Sequence, residues 1–232
     1  MPSYDSQALF AAIKRGDVDT VKAAIDAGVD VNESRADMHA LMFAVREKNV
    51  EIAQALIDAG AYVDEPNTFG WTALLEATRS GQMPMVKMMD EYVLDLRVAS
   101  SRGDGLIHAA VQGNTSGMVP FFAERGVNVD KPNKNQVTPV MLAAELGHEN
   151  SFAELIALGA DLDRLDSAQV SARQRAAQWP AGLAVIERLA SPTPAMVQEV
   201  APAVATPATP SEDAPAPSSG PQGIRKRSNG MR

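Results

Sequence analysis

Cysteine is missing from this chain of 232 residues, and histidine occurs only three times. The absence of cysteine excludes a disulfide framework and thiol chemistry. Long apolar runs are missing too, because charged residues interrupt each of them, so we expect no membrane-spanning helix. Residues 1–5 also lack the basic and then apolar pattern of a signal peptide. These absences favour a reducing compartment, and we expect the protein to be cytoplasmic.

Positive charge is in short supply as well. The chain has 21 Lys and Arg against 29 Asp and Glu, a formal net charge of −8. Four of the basic residues and three of the acidic ones follow residue 190, which leaves 17 basic against 26 acidic residues before it. An acidic body of this kind argues against nucleic acid as the main partner and favours a protein with basic features.

A segment of about 33 residues recurs along the chain. Each copy ends in a glycine, or once in a valine, followed by alternating apolar and polar residues. The five endings are residues 28–32, 60–64, 93–97, 126–130 and 159–163. A glycine at this place can close a helix in the left-handed conformation. We therefore expect a different turn in the third copy, where Val93 takes the place of the glycine.

The fifth copy shows the internal pattern best. Thr138 precedes a first helix with Pro139 at its first position, and Gly147 followed by His148 ends that helix. A second helix, with apolar residues at helical spacing, runs on to Gly159. Two helices this short cannot bury their apolar faces alone, so the copies must stack on one another. The motif resembles the Thr-Pro-Leu-His motif of ankyrin repeats, and the chain is identified as an ankyrin-repeat protein over about residues 5–190.

The resemblance implies an all-α fold, a solenoid of stacked helix-turn-helix units joined by short finger loops. We divide it into an N-terminal capping repeat at residues 1–32, four repeats at 33–163 and a closing capping repeat at 164–190. Residues 191–232 are rich in proline, alanine and serine, so we predict a disordered tail with a basic tip.

The fourth repeat and the closing repeat depart from the pattern. Asp104 stands where the motif has threonine, one position short of a full period after Thr72, and we expect the lost residue to reappear before Gly126. Pro120 predicts a kink or a late start in the second helix of that repeat. Trp179 is expected to pack beneath the closing repeat. Polar residues of that repeat should form a solvated end: Arg175, Gln178 and Arg188.

Nothing in the sequence indicates catalysis. His39, His108 and His148 belong to different repeats, and no His-x-x-x-His pair or carboxylate cluster accompanies any of them. The chain has no phosphate-binding glycine loop and no nucleophile motif. We therefore predict no enzymatic activity, no catalytic residue, no metal and no cofactor. An enzyme stays conceivable only if an unrecognised site spans two repeats.

The resemblance further implies a protein partner bound at the concave surface, which is formed by finger tips and the exposed sides of first helices. Carried over position by position, this surface comprises Arg35, Met38, Arg46, Glu47, Thr68, Phe69, Trp71, Arg79, Ser80, Ser100, Ser101, Gly103, Val111, Gln112, Lys134, Asn135, Val137, Glu145 and Leu146. The third repeat is the strongest candidate, because Phe69, Trp71 and Arg79 are residue types that dominate protein interfaces. The two aromatic side chains could equally pack on a neighbouring finger.

Two functional hypotheses follow. The first is a non-enzymatic interaction module that acts as an inhibitor or as a scaffold, with no nucleic acid or membrane as partner and a monomeric free state. The alternative is a secreted bacterial effector that binds a host protein and uses its basic tip for export. Deleting residues 224–232 would abolish secretion under the alternative and leave location unchanged under the first.

Overall fold

The computed structural model describes residues 4–93 and 95–190, so the predicted tail and its basic tip lie outside the described residues. Within these ranges helices alternate with turns and loops, and one hairpin has two strands of two residues each. The helices are α1 Ser6–Arg15, α2 Val18–Asp26, α3 Ala40–Arg46, α4 Val50–Asp58, α5 Ala73–Arg79, α6 Met83–Asp90, α7 Leu106–Gly113, α8 Met118–Ala123, α9 Pro139–Leu146, α10 Glu149–Ala157, α11 Ala172–Ala176 and α12 Pro180–Ala190. Strands β1 Ser34–Arg35 and β2 Met38–His39 pair antiparallel.

Consecutive helices form pairs, and the pairs stack in chain order. The first helices α1, α3, α5, α7, α9 and α11 each pack on the next, and every first helix also contacts its own second helix. One continuous apolar core runs between the row of first helices and the row of second helices. Its largest fully buried side chains are Phe122, Phe152, Leu9, Ile13, Leu41, Ile52, Leu56, Leu74, Leu75, Met85, Met89 and Leu106. The predicted all-α solenoid is confirmed.

The turns after the second helices follow one rule with one exception. Gly28, Gly60, Gly126 and Gly159 have φ values of 80° to 90°. Each glycine N–H donates to the carbonyl three residues back, and the next N–H donates to the carbonyl five residues before it. Val93 instead donates to the carbonyl of Met89, four residues back, at 3.1 Å. A β-branched residue avoids the left-handed conformation, so this turn takes a different form, as predicted.

The finger loops repeat with the same period as the helices, without insertion or deletion. At one equivalent position each finger has a left-handed residue, namely Asp37, Gly70, Gly103, Gln136 or Gln169. Backbone bonds join the later fingers, because one N–H in each finger after that of the third repeat donates to a carbonyl of the finger before. These bonds are Ser101 to Phe69 at 2.8 Å, Lys134 to Arg102 at 3.0 Å and Ser167 to Asn135 at 3.2 Å. The fingers therefore form a hydrogen-bonded row, with equivalent side chains at regular intervals.

The predicted alignment of the fourth repeat is wrong by one residue. Gly105, not Asp104, is the residue that precedes α7, and it lies one full period after Thr72 and one full period before Thr138. Asp104 is buried beneath the finger, where it accepts a hydrogen bond from Asn133 Nδ2 at 2.9 Å. Aspartate is a common capping residue and glycine a weaker one, which explains the error. No residue is lost in this repeat.

The correct alignment places His108 at the position of the motif histidine. Its Nδ1 accepts from the Gly105 N–H at 3.4 Å, and its Nε2 donates to the carbonyl of Val137 at 3.0 Å. The side chain is 2 % exposed. Burial lowers the pKa of His108 below its ordinary value. This histidine joins its own helix to the next finger.

Helix α8 begins late, as Pro120 predicts. The other second helices of the central repeats begin at Val50, Met83 and Glu149, so the same spacing would start α8 at residue 116, whereas it starts at Met118. A residue of the next repeat, Glu154 on α10, stabilises the start of α8. Its Oε1 accepts hydrogen bonds from Ser116 Oγ at 3.0 Å and from the Gly117 N–H at 2.7 Å. A carboxylate at this helix start satisfies donors that have no partner within the helix.

The closing repeat agrees with the sequence at Trp179 and differs at Arg175. Trp179 packs edge-on against Phe152, with 5.7 Å between ring centroids. Arg175 does not contribute to a solvated end. Its guanidinium is largely buried and is paired with the carboxylates of Asp166 and Glu145. An arginine in this place is tolerated because two carboxylates compensate its charge.

The open cap of α7 yields a stability prediction. Changing Gly105→Ser supplies a hydroxyl that can accept from the His108 N–H, as Thr72 does for Leu75 at 3.2 Å. A Cβ at residue 105 would lie 3.5 Å from the Val98 carbonyl oxygen, which is ordinary contact. We expect Gly105→Ser to exceed the matched variant Gly105→Ala by about 1 kcal/mol in unfolding free energy. Urea titration measures the difference, and equal stability of the two variants would contradict the missing cap.

His108 yields a pH prediction. The pKa of His108 is lower in the folded state than in the unfolded chain, so the unfolded chain is protonated at a higher pH than the folded one. The free energy of unfolding therefore falls as the pH drops below about 6.5. His108→Met keeps an acceptor at this position, as Met141 accepts from the Thr138 N–H at 3.3 Å. We expect the variant to lose less unfolding free energy than the wild type between pH 7.5 and 5.5.

Urea titrations at several pH values give the slope of unfolding free energy against pH for the wild type and for His108→Met. Asp166, whose pKa is lowered chiefly because the Val170 N–H donates to it, matters only at lower pH. The comparison of wild type with variant therefore isolates His108. Identical slopes would show that the buried histidine is not the titrating group.

Candidate functional site

A groove of about 380 Å³ opens between the fingers and the first helices of the second to fourth repeats. We call it the central groove and define it by the residues that line it, which are Met38, Met42, Arg46, Asn67, Trp71, Glu76, Arg79, Arg102 and Gln112. Five of these were predicted from the sequence: Met38, Arg46, Trp71, Arg79 and Gln112. The structure thus brings together predicted residues that belong to three repeats.

The finger loop of the third repeat, which we call the third finger, holds Trp71 in place; the other fingers are likewise numbered by their repeats. The side chain of Asn67 accepts from the Trp71 N–H at 3.0 Å, and the Trp71 carbonyl accepts from the Asn67 N–H at 2.9 Å. Between them Gly70 adopts a φ of 72°, and a Cβ there would lie 2.8 Å from the backbone nitrogen of Ser101. Only glycine satisfies both demands without strain. The indole therefore projects from a rigid loop.

Arg79 faces this indole from helix α5. Its guanidinium carbon lies 5.7 Å from the Trp71 ring centroid, within the range of a cation–π contact. Its Nη2 also lies 2.7 Å from Glu76 Oε1, one turn earlier on the same helix. The arginine side chain remains 45 % exposed. Two contacts thus orient a guanidinium that is still open to a partner.

The other arginines of the central groove lie on either side. Arg46, on α3, donates to the sulfur of Met38 at 3.2 Å. Arg102, in the fourth finger, lies 3.3 Å from Asp104 Oδ2 and keeps 70 % of its side chain exposed. The lining therefore contains three arginines and one glutamate, although residues 1–190 carry a net negative charge.

Phe69 stands apart from the central groove at the tip of the third finger. Its side chain is 63 % exposed, so most of the ring is open to solvent. Its carbonyl accepts from the Ser101 N–H, which places the tip relative to the next finger. An exposed aromatic ring on an ordered backbone is a common feature of protein interfaces.

The remaining predicted residues are dispersed. Thr68 donates to Asp37 of the previous finger, and the Ser80 hydroxyl donates to the Glu76 carbonyl at the end of α5. Others lie on neighbouring units: Arg35 lines a separate hollow beside Phe10 and Phe43, Glu47 ends α3, the Lys134 and Asn135 backbones join fingers, and Glu145 pairs with Arg175. The structure does not bring these residues into the central groove.

The prediction that Val111 lies on the concave surface is wrong. It is fully buried inside α7, because the one-residue error in the fourth repeat moved each surface position along by one. The residue equivalent to Arg46 and Arg79 is Gln112. The sequence interpretation also missed four lining residues, Met42, Asn67, Glu76 and Arg102. Arg102 follows Phe69 by one full period, and this is a signal that could have found it.

The histidines serve the fold. His39 precedes α3, and its ring lies 3.4 Å from the Asn32 carbonyl oxygen. His148 Nδ1 lies 2.8 Å from the Val111 carbonyl oxygen, across a repeat boundary. Among residues 4–93 and 95–190, no three His, Asp or Glu side chains are grouped to hold a metal ion.

A larger cavity of about 510 Å³ lies between the turns of the third and fourth repeats. Val98, Leu106 and Val127 supply apolar walls. Among its charged lining residues, Arg97 pairs with Asp95 and Arg125 with Asp90, whereas Lys131 forms no ion pair within the described residues. In the part of the chain that the structure describes, no tryptophan, tyrosine or phenylalanine lines this cavity, so it is a weaker candidate for a protein interface than the central groove.

The family model for ankyrin repeats, in three copies, matches residues 9–98 and 91–166. This chain belongs to the ankyrin-repeat family. Ankyrin repeats are in general protein–protein interaction modules, and the fold is typically a non-enzymatic scaffold. No helix in the described part of the chain is both long and apolar enough to cross a membrane.

Solved structures of other ankyrin proteins share the fold. The ankyrin repeat domain of human ASB11 is 24 % identical with a TM-score of 0.68, over 79 % of this chain and 83 % of that one. The ankyrin-repeat protein EF0377 is 25 % identical with a TM-score of 0.71, over 81 % and 98 %. The ankyrin repeat domain of Bcl-3, described as a unique member of the IkappaB family, is 21 % identical with a TM-score of 0.69, over 79 % and 84 %.

The third finger yields a structural prediction. Gly70→Ala places a Cβ against the Ser101 backbone at a φ of 72°, so we expect a loss of about 1–3 kcal/mol in unfolding free energy. The matched control is Gln136→Gly, at the same position of the fifth finger, where φ is 60° and glycine relieves strain. Urea titration compares the two. A Gly70→Ala loss no larger than that of the control would contradict the close finger contact.

Proposed function

We propose that the central groove, together with the exposed ring of Phe69, is the surface through which this protein binds a protein partner. The proposal is supported by the proximity of Trp71, on the third finger, to Arg79, on helix α5. The guanidinium carbon of Arg79 lies 5.7 Å from the centroid of the Trp71 ring. Tryptophan and arginine carry a large share of the binding energy at protein interfaces, especially near the centre of the buried surface. The central groove lies in the middle repeats, where neighbouring fingers can surround such a centre.

The proposed role is that of a non-enzymatic interaction module, acting as an inhibitor or as a scaffold. An inhibitor would place the aromatic and arginine side chains inside a partner's active site, whereas a scaffold would leave that site open. We further propose that the chain is a monomer when free and that residues 1–32 and 164–190 are its capping repeats. Its cytoplasmic location and the effector alternative, which rests on the tail, stay predictions.

Substitution of the three central side chains tests the proposal. The full-length chain carrying Phe69→Ala, Trp71→Ala and Arg79→Ala should fail to retain a protein that the wild type captures from a lysate of its own cells. The matched control changes Lys134→Ala and Asn135→Ala, two exposed residues in the fifth-repeat finger outside the central groove. It should capture as well as wild type. Circular dichroism and the melting temperature confirm that each variant is folded.

Equal capture by the wild type and the folded triple variant would move the binding surface elsewhere. Loss of capture only in the control would move it to the later fingers. Quantitative affinity for the captured protein should fall at least tenfold in the triple variant, because hot-spot side chains each contribute more than about 1 kcal/mol.

A further inference from the structure

The charge of the central groove is opposite to that of the protein around it. Before residue 191 the acidic residues outnumber the basic ones by 26 to 17, whereas the central groove has three arginines and one glutamate. Glu76 is engaged by Arg79, and Asp104 lies buried next to Arg102. In the described part of the chain, Arg46 forms no ion pair. The local field therefore favours an anionic group.

The arginines lie on both walls. Arg46 and Arg79 occupy equivalent positions of neighbouring first helices, and Arg102 belongs to the finger opposite. Farther along the helix row the equivalent residues are Gln112 and Glu145, so the positive charge of this row is confined to the second and third repeats. A segment crossing this end meets guanidinium groups on each side, and guanidinium pairs well with carboxylate.

Three apolar side chains lie among the polar groups that line the central groove. Trp71 packs against the core with part of its ring surface, and the sulfur-containing side chains of Met38 and Met42 lie beside it. Methionine adapts its shape to different apolar groups. The volume of about 380 Å³ is sufficient for one large side chain. An aromatic or aliphatic residue of the partner fits between the arginines.

We propose that the partner presents an acidic segment with a large apolar side chain at its centre, bound across the second to fourth repeats. This inference rests on the proposed function. It reverses the expectation drawn from net charge, because a partner meets the field of the binding surface rather than that of the whole chain. Packed helices lie about 8–10 Å apart, and an extended chain advances about 3.3–3.6 Å per residue. Acidic residues three apart would therefore reach Arg46 and Arg79 together.

Peptide selection tests the inference without knowledge of the natural partner. Phage displaying random 12-residue peptides are selected on the immobilised full-length chain, and the enriched peptides are synthesised. We expect peptides that are net negative, with Asp or Glu three residues apart around an aromatic or aliphatic residue. Their affinity, measured by fluorescence anisotropy, should fall at least tenfold with Trp71→Ala. It should also fall at least tenfold with Arg46→Glu plus Arg79→Glu, and decrease between 50 and 300 mM salt.

The matched control reverses the same number of charges elsewhere. Lys87→Glu plus Lys131→Glu changes two exposed lysines that do not line the central groove and should leave peptide affinity within twofold. If the doubly reversed arginine variant does not fold by circular dichroism, Arg46→Gln plus Arg79→Gln replaces it, with a smaller loss of affinity expected. Selection on the folded reversed variant should enrich basic peptides instead.

The possible results separate the two proposals. Peptides that lose affinity with Trp71→Ala but are neutral or basic would overturn the acidic segment and leave the central groove as the binding surface. Peptides whose affinity is unchanged by Trp71→Ala, or a selection that enriches none, would overturn both. Equal losses in the lysine control and the arginine variant would show attraction by overall charge and would also overturn the acidic segment.

Discussion

The stacking of each helix pair on the next is the constraint on which this protein depends. Helices such as α3 and α5, with seven residues each, are too short to be stable alone. They form because buried faces of adjacent units cover one another, and the approach is close. A Cβ at Gly113 of α7 would lie 2.7 Å from the Arg79 carbonyl oxygen at the end of α5. The same contact that stabilises the fold thus sets the distance between the helix residues of the central groove.

Polar bonds across the repeat boundaries complete this stacking. Gln82 donates to the Val45 carbonyl at 2.9 Å, and His148 Nδ1 lies 2.8 Å from the Val111 carbonyl. Both carbonyls lie near the end of a first helix and also accept the backbone N–H three residues later, from Lys48 and Asn114. Thr115 occupies the corresponding position of the fourth repeat, but its hydroxyl donates to the Gly113 carbonyl within the same repeat. The third and fourth repeats are bridged elsewhere, where Arg125 forms an ion pair with Asp90 at 2.5 Å.

How far the sequence predicted the structure can be judged from particular residues. The period, the special turn at Val93 and the late start of α8 were predictable, because glycine, β-branched residues and proline act through local backbone geometry. The place of Asp104 was not, since its role depends on Asn133 and Arg102 in three dimensions. Val111 followed from the same error. Arg175 was misjudged because Asp166 and Glu145, which compensate its charge, are distant in sequence.

The repeat separates positions that serve the fold from positions that do not. Val45, Thr78, Val111 and Ala144 occupy one equivalent position and are all buried, so packing limits their size and polarity. The next residues in the chain are Arg46, Arg79, Gln112 and Glu145, and they face the fingers with charges of both signs. Such variation at a solvent-facing position costs the fold little. Because stacking holds these positions in a row, their side chains define a pattern of charge that the fold itself does not require. Specific recognition can therefore reside in that row, while stability resides one residue earlier.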